Sequence, residues 1–328
     1  MRHVRILILS VALWLAALAL GMLVGAKSIS LSNLWAPENP ALQSALLDAR
    51  LPRVILGAIA GGGLATAGVA FQSVLRNPLA EPYVLGVSGG SALGATVAMI
   101  FGAQTLTWLG ASVVPLAALL GGSCSTVLVY ALVQRWPDGR HAILLAGVIV
   151  NAIASALITF IKTLVSASRA QELLYWLTGY LDVHPWHEIA MTGFYVGLGA
   201  LVLVRDAGRL NLLALGSENA MHLGVDVRAL ERRTLLAGSL VVGATVSVTG
   251  LIGFVGLLVP HALRRLWGPD ARTLLPASFF VGGATLVLCD SLSRLLFRFL
   301  HTEPPVGAVT ALLGGPLFLV LMTRNMRA

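Results

Sequence analysis

Charge is what this chain has least of. Asp, Glu, Lys and Arg make up 11% of its 328 residues, against about 25% in an ordinary soluble domain. That is too little polar surface to cover a water-exposed fold of this length. Cysteine is as sparse. Cys124 and Cys289 both sit in apolar runs, with no CxxC pair and no Cys/His zinc spacing, so the expected metal content is none. No G-x-x-x-x-G-K-[ST] phosphate loop occurs; the nearest string, Gly21 to Ser28, places Ala26 before Lys27 and closes an apolar run. No apolar segment holds a Ser/His, His/Glu or Asp/Asp pair at catalytic spacing. The expectation is a non-enzyme that binds no cofactor of its own.

Apolar residues are abundant, at 57%, and the mean hydropathy is +0.86. Only a bilayer acts as solvent for so much apolar surface. The fold class expected is therefore all-α, a single polytopic membrane domain over residues 1–328. Ten segments suit helices that cross: 6–26, 54–74, 84–101, 109–133, 142–161, 189–204, 234–249, 254–267, 274–300 and 306–322. The first follows Arg2 and Arg5 and is longer than a signal-peptide core, so a retained helix is favoured over a cleaved signal. The eighth, short and interrupted by Pro260, reads as a half-crossing shielded by its neighbours.

The net charge of +8 does not point to nucleic acid, because the basic residues fall in short groups between apolar runs. With alternating crossings, 15 of the 22 Lys and Arg fall on the side of the N-terminus and 7 on the other, while the 14 acidic residues divide 7 and 7. Lys/Arg excess marks the cytoplasmic side, so both termini are expected to be cytoplasmic. Glycines repeat every fourth residue at Gly57 and Gly61, and at Gly86, Gly90 and Gly94. Such stripes predict close helix–helix contact.

Asn151, Ser155 and Thr159 form a polar row on the fifth segment, extended by Thr163. A polar row in a membrane faces protein or water; interhelical hydrogen bonding within one subunit would also explain it. Residues 169–181, with Leu173, Leu174, Trp176 and Leu177, read as a short amphipathic helix beside the membrane. His184, His187 and Glu188 include metal-ligand types, but two histidines in a loop need no more than solvation. The run Pro137-Asp138-Gly139 has ordinary turn chemistry. The longest cytoplasmic loop, about 205–233, is expected to form one or two short helices broken at Gly216 and Gly224.

Four stretches carry a resemblance. In the long loop, Glu218, Ala220 and Gly224 fit an E-x-A-x-x-x-G core. The second stretch runs from Leu51-Pro52-Arg53 through Phe71-Gln72-Ser73-Val74-Leu75-Arg76-Asn77-Pro78-Leu79-Ala80-Glu81-Pro82 to Leu85-Gly86-Val87-Ser88-Gly89-Gly90. The third is Gly253 to His261; the fourth pairs Pro305-Val306-Gly307 with Gly314-Gly315-Pro316. Together they resemble the FecCD family of type II ABC importer permeases, which carry iron–siderophores, haem and cobalamin across the bacterial inner membrane.

The resemblance implies a homodimer with ten helices per subunit, two cytoplasmic ATP-binding cassette subunits that use ATP and Mg, and a periplasmic substrate-binding protein. It implies that Leu215, Gly216, Glu218, Ala220, Met221, Leu223 and Gly224 dock on the ATPase. It implies that Arg50, Arg53 and Arg294 meet carboxylates of the binding protein. Snorkelling is the plainer reading of these arginines, and Arg294 can also pair with Asp290 one turn earlier. Asn151, Ser155 and Thr159 would face the pathway, and Pro137, Asp138 and Gly139 would lie near its cytoplasmic gate. An ion-coupled secondary transporter is the alternative. It would need acidic residues near mid-membrane, for which only Asp290 is a candidate.

Overall fold

A computed structural model describes residues 2–25, 45–101, 107–108, 111–133 and 139–325. Among the described residues the regular structure is helical apart from an antiparallel bridge that pairs Thr107 with Ser112 and Trp108 with Ala111. These residues hold thirteen α-helices. The first seven are α1 (Arg2–Leu23), α2 (Leu51–Val74), α3 (Val87–Ile100), α4 (Val113–Val133), α5 (Gly139–Leu164), α6 (Ala167–Leu177) and α7 (Trp186–Arg205). The remaining six are α8 (Ala207–Ala214), α9 (Ser217–His222), α10 (Val227–Thr249), α11 (Val255–Trp267), α12 (Ala271–Leu300) and α13 (Val306–Asn325). A π-turn at Ala45–Arg50 leads into α2, and a 3₁₀ turn at Pro82–Leu85 precedes α3.

Six of these helices are long and apolar enough to cross a membrane: α1, α2, α4, α5, α7 and α12. Shorter apolar helices are α3 and the start of α13. Helix α10 begins seven residues before its predicted start. The charged stretch Arg228 to Arg233 continues as helix beyond the apolar run, because intrahelical hydrogen bonding does not depend on side-chain polarity.

Helix α2 is the axis of the bundle, with 89% of its apolar window buried. Close approach on several sides depends on its missing side chains. A methyl group built on Gly61 would lie 2.3 Å from the carbonyl oxygen of Gly282 in α12, and one on Gly68 would lie 1.8 Å from that of Gly256 in α11. The second predicted stripe behaves alike against α4: a methyl group on Gly90 would lie 2.5 Å from the Gly121 carbonyl oxygen, and one on Gly94 would lie 2.2 Å from that of Ala117.

Two helices, α3 and α11, are too short to cross, with 14 and 13 residues. At 1.5 Å rise each covers about 20 Å of a hydrocarbon core of about 30 Å. Their first residues lie inside the bundle. Gly256, at the start of α11, packs on the Leu64 carbonyl, about 20 Å along the roughly 36 Å of α2. Gly86, at the start of α3, gives its carbonyl to the Ser125 hydroxyl at 2.7 Å, about 18 Å into α4. The predicted third segment started at Val84; the helix begins three residues later because Gly86 turns left-handed, at φ +83°. The eighth segment keeps its shortened form, capped by Phe254 at φ +68°.

Gly68→Ala tests the α2 axis. Its new methyl group meets backbone, which cannot rotate away, so a loss of about 1–3 kcal/mol is expected. A lowered midpoint of thermal unfolding in detergent would show it; a wild-type midpoint would disprove the close contact.

Candidate functional site

The arginine-rich end carries the most built-up surface feature. After α7 the chain turns at Asp206 into α8, breaks at Gly216 (φ +121°), forms α9, and turns at Gly224 (φ +81°) into α10. Both expected breaks are at glycines in backbone regions that disfavour side chains. The loop is clamped to the bundle. The Asp206 carboxylate, 4% exposed, accepts Arg209 at 2.6 Å and pairs with Arg233 at 3.1 Å. Asn211 donates to Asp270 at 2.6 Å and accepts the Ala271 amide at 2.8 Å, tying α8 to the start of α12.

Burial raises the Asp270 carboxyl pKa. The hydrogen bonds from Asn211 and the Arg272 amide outweigh it, so the carboxyl lies below its ordinary value. This clamp is therefore fully present above pH of about 4 and lost as pH falls below it.

The clamps leave one face of α9 bare. Leu215, Met221 and Leu223 are 62%, 55% and 57% exposed, and Glu218 is exposed beside them. Ala220 is the inward anchor, fully buried. Among the predicted coupling residues, the structure thus separates one anchor, two breaks and an exposed group of three large apolar side chains with one carboxylate. Exposed apolar groups outside the membrane mark interaction surfaces.

The polar row on α5 does not act as one unit. Asn151 faces inward, where its Oδ1 accepts the Gly89 amide at 3.0 Å and its Nδ2 donates to the Tyr83 carbonyl at 2.5 Å. It satisfies the first turn of α3, where amides lack intrahelical acceptors. Ser155 and Thr159 are exposed, with the Thr159 hydroxyl bonded to the Ser155 carbonyl at 2.8 Å. They share a sector with Ala152 and Ala156, next to a bulky sector of Ile149, Ile153 and Phe160. Gly139 opens α5; Pro137 and Asp138 lie outside the described residues.

At the other end, the predicted docking arginines turn inward. Arg53, 9% exposed, pairs with Asp290 at 2.8 Å and with Glu303 at 3.0 Å. Arg294, 5% exposed, pairs with Asp290 at 2.9 Å and donates to the Gly21 carbonyl at 2.9 Å. Tyr180 donates to Glu303 at 3.1 Å and lies under the Arg53 guanidinium. Arg50, half-buried, donates to the Met22 carbonyl at 2.8 Å, and Arg298 to that of Gly25 at 3.0 Å. Arg50 and Arg294 thus cap the C-terminal carbonyls of α1, where cations are favoured, and Arg298 holds the chain just beyond it. Asp290 is held between two guanidiniums and does not present a bare carboxylate for ion coupling.

Beside this cluster a cavity of about 350 Å³ opens between α6 and the tops of α4 and α10, lined by Tyr175, Trp176 and Thr249 with Glu172, Asp182 and His184. His184 bonds Glu188 at 2.9 Å. Helix α6 is the predicted amphipathic element, with Leu173 buried and Leu174 exposed.

The FecCD transport family model matches residues 12–324. This chain belongs to the FecCD transport family. It is 37% identical over 316 residues to the hemin transport system permease HmuU of Yersinia pestis, covering 95% of this chain and 93% of that protein. The cobalamin import system permease BtuC of Halobacterium salinarum is 41% identical over 281 residues, covering 85% and 73%. A probable iron chelatin permease of Helicobacter pylori strain J99 is 33% identical over 290 residues, covering 88% and 85%. Among solved structures, one described as the inward-facing conformation of a metal-chelate type ABC transporter superposes with a TM-score of 0.85 at 29% identity, covering 98% of this chain and 99% of that one. The chain is a polytopic membrane permease.

Sequence reasoning missed the burial of Arg53 and Arg294, whose partner Glu303 lies 250 residues from Arg53. It also assigned no role to Glu81, although Glu81 lies in one of the four stretches that carry the family resemblance. Asp290→Ala would leave two buried guanidiniums facing each other. A loss of about 3–5 kcal/mol is expected, read as a lower thermal midpoint in detergent; an unchanged midpoint would mean the cluster is solvated.

Proposed function

We propose that this chain is the membrane subunit of an ATP-driven, binding-protein-dependent importer for an iron chelate, haem or cobalamin. It works as a homodimer in the bacterial inner membrane, with both termini in the cytoplasm and ten crossings, two of them completed by the non-α-helical segments that lead into α3 and α11. Two ATP-binding cassette subunits bind the arginine-rich face and hydrolyse ATP with Mg; this chain binds no cofactor. A periplasmic binding protein delivers the cargo to the opposite face. The relatives named for hemin, cobalamin and iron chelatin transport support the cargo class.

The observation that carries the reading is the bare face of α9. A short helix that exposes Met221 and Glu218 and is flanked by exposed Leu215 and Leu223 is an amphipathic stub shaped for a groove on a soluble partner. Clamps at Asp206 and Asn211 transmit its displacement to α10 and α12. ATP binding closes the cassettes, the stubs move with them, and α5 and its mate tilt to change which end of the pathway is open. Hydrolysis resets the cycle.

The small, weakly polar sector of Ser155, Thr159, Ala152 and Ala156 faces the pathway; Asn151 supports it from within. Between Ala142 and Ile161, α5 carries no charge, so a large cargo meets a wall of low affinity and is released. Pro137, Asp138 and Gly139 border the cytoplasmic gate. Docking of the binding protein centres on Arg50, whose head is half-buried, with Arg53 and Arg294 shaping that face from beneath.

Met221→Asp with Leu223→Asp places two carboxylates in the docking groove. The cassette subunits are expected to be lost from the purified complex while the permease keeps its thermal midpoint. Full retention of the cassettes and of ATP-dependent uptake would refute the docking assignment.

A further inference from the structure

The residues that lead into α3 meet the start of α11 inside the bundle, and one segment joins them to the arginine-rich end. Residues 75–86 leave α2 at Leu75, turn left-handed at Arg76 (φ +48°), and re-enter the bundle. At the near end, the Arg76 guanidinium donates to the Ser217 hydroxyl of α9 at 3.3 Å. At the far end, the Glu81 carboxylate accepts the Phe254 amide at 2.7 Å, capping α11. Pro82 packs on Gly256. The next residue, Tyr83, receives Asn151 of α5 on its carbonyl.

Each contact is tied to a specific need. The first amides of a helix lack intrahelical acceptors, and α11 begins partly buried within the bundle, where an acceptor from the protein serves it. A carboxylate suits that place, because it accepts strongly and faces the positive end of the helix. Its oxygen also lies 3.5 Å from where a methyl group on Gly253 would be, so the carboxylate sits against the turn that leads into α11. Pro78 and Pro82 fix two φ angles within the segment, and Ala80 is 1% exposed. A segment stiffened by two prolines and anchored by the buried Leu75, Ala80 and Leu85 passes displacement on instead of absorbing it.

We propose that Glu81 is a positioning residue for coupled transport, holding residues 75–86 as a strap between the cassette-docking helix α9 and the shared start of α3, α11 and the Asn151 turn of α5. Movement of α9 then reaches the pathway helix α5 by this route, while the Asp206 and Asn211 clamps carry it to α10 and α12. Without the Glu81 contact, the strap still touches α9 but no longer grips α11, and α5 is released from the cycle.

This inference rests on the ATP-driven reading above, so the test separates the two. Thr159→Cys is introduced in a background of Cys124→Ser and Cys289→Ser, and the complex is reconstituted with its cassettes. Cross-linking between the two copies is compared without nucleotide and with ATP plus vanadate, and ATPase activity is measured in parallel. A nucleotide-dependent change in cross-linking is expected with Glu81 present. Its absence there would overturn the ATP-driven reading and this inference with it.

Glu81→Ala is expected to keep ATPase activity and lose the change in cross-linking; Glu81→Gln, which keeps an acceptor at the same reach, is expected to restore it. A change of wild-type size in Glu81→Ala would overturn the strap alone. If Glu81→Ala does not assemble, Glu81→Asp decides. One methylene shorter, it is expected to diminish the change, and an undiminished change would overturn the inference.

Discussion

A peptide group inside a bilayer has to find its hydrogen-bond partner within the protein, and the rest of this structure follows from that constraint. Long helices meet it by themselves. The two places where helices start inside the bundle meet it with side chains: Asn151 for α3 and Glu81 for α11. Both side chains come from segments distant in sequence, so each interruption binds together elements that hydrophobic packing alone would leave free to slide. In lipid there is little hydrophobic force between helices, and close backbone approach takes its place. Helix α2 supplies it through Gly61, Gly62 and Gly68.

The same economy of polar groups divides the molecule into working faces. At the arginine-rich end, carboxylates of Asp206 and Asp270 fix the loop and leave the apolar side of α9 outward. At the opposite end, guanidiniums of Arg50, Arg294 and Arg298 are drawn to the open carbonyls at the end of α1 and just beyond it. Between them, α5 keeps most of its surface bare, with hydroxyls bonded along its own backbone. On the proposed reading, a pathway wall of this kind offers shape and little attraction, and leaves selection of the cargo to the binding protein.

Much of this was legible in the residues. The membrane class followed from charge scarcity, helices occupy the predicted apolar segments, and the glycine stripes at Gly57 to Gly61 and Gly86 to Gly94 marked real contacts. The breaks at Gly216 and Gly224 were readable because only glycine tolerates those angles without strain. What stayed hidden was pairing across long sequence distance. An arginine near a helix end looks the same whether it snorkels to water or, like Arg53, meets Asp290 and Glu303 far along the chain. Asn151 shared a four-residue spacing with Ser155 and Thr159, yet helical drift turns it toward α3 while they face outward. Glu81 stood in a recognised motif, but its role appears only when Phe254, 173 residues on, is brought beside it.

Sidedness decides the account. In a background of Cys124→Ser and Cys289→Ser, single cysteines at Met221 and at Asp182 can be probed in sealed right-side-out vesicles with a membrane-impermeant maleimide. The account predicts that Asp182→Cys labels at once and Met221→Cys only after the membrane is permeabilised. Labelling of Met221→Cys from outside would contradict it, because α9 would then face away from any cytoplasmic ATPase.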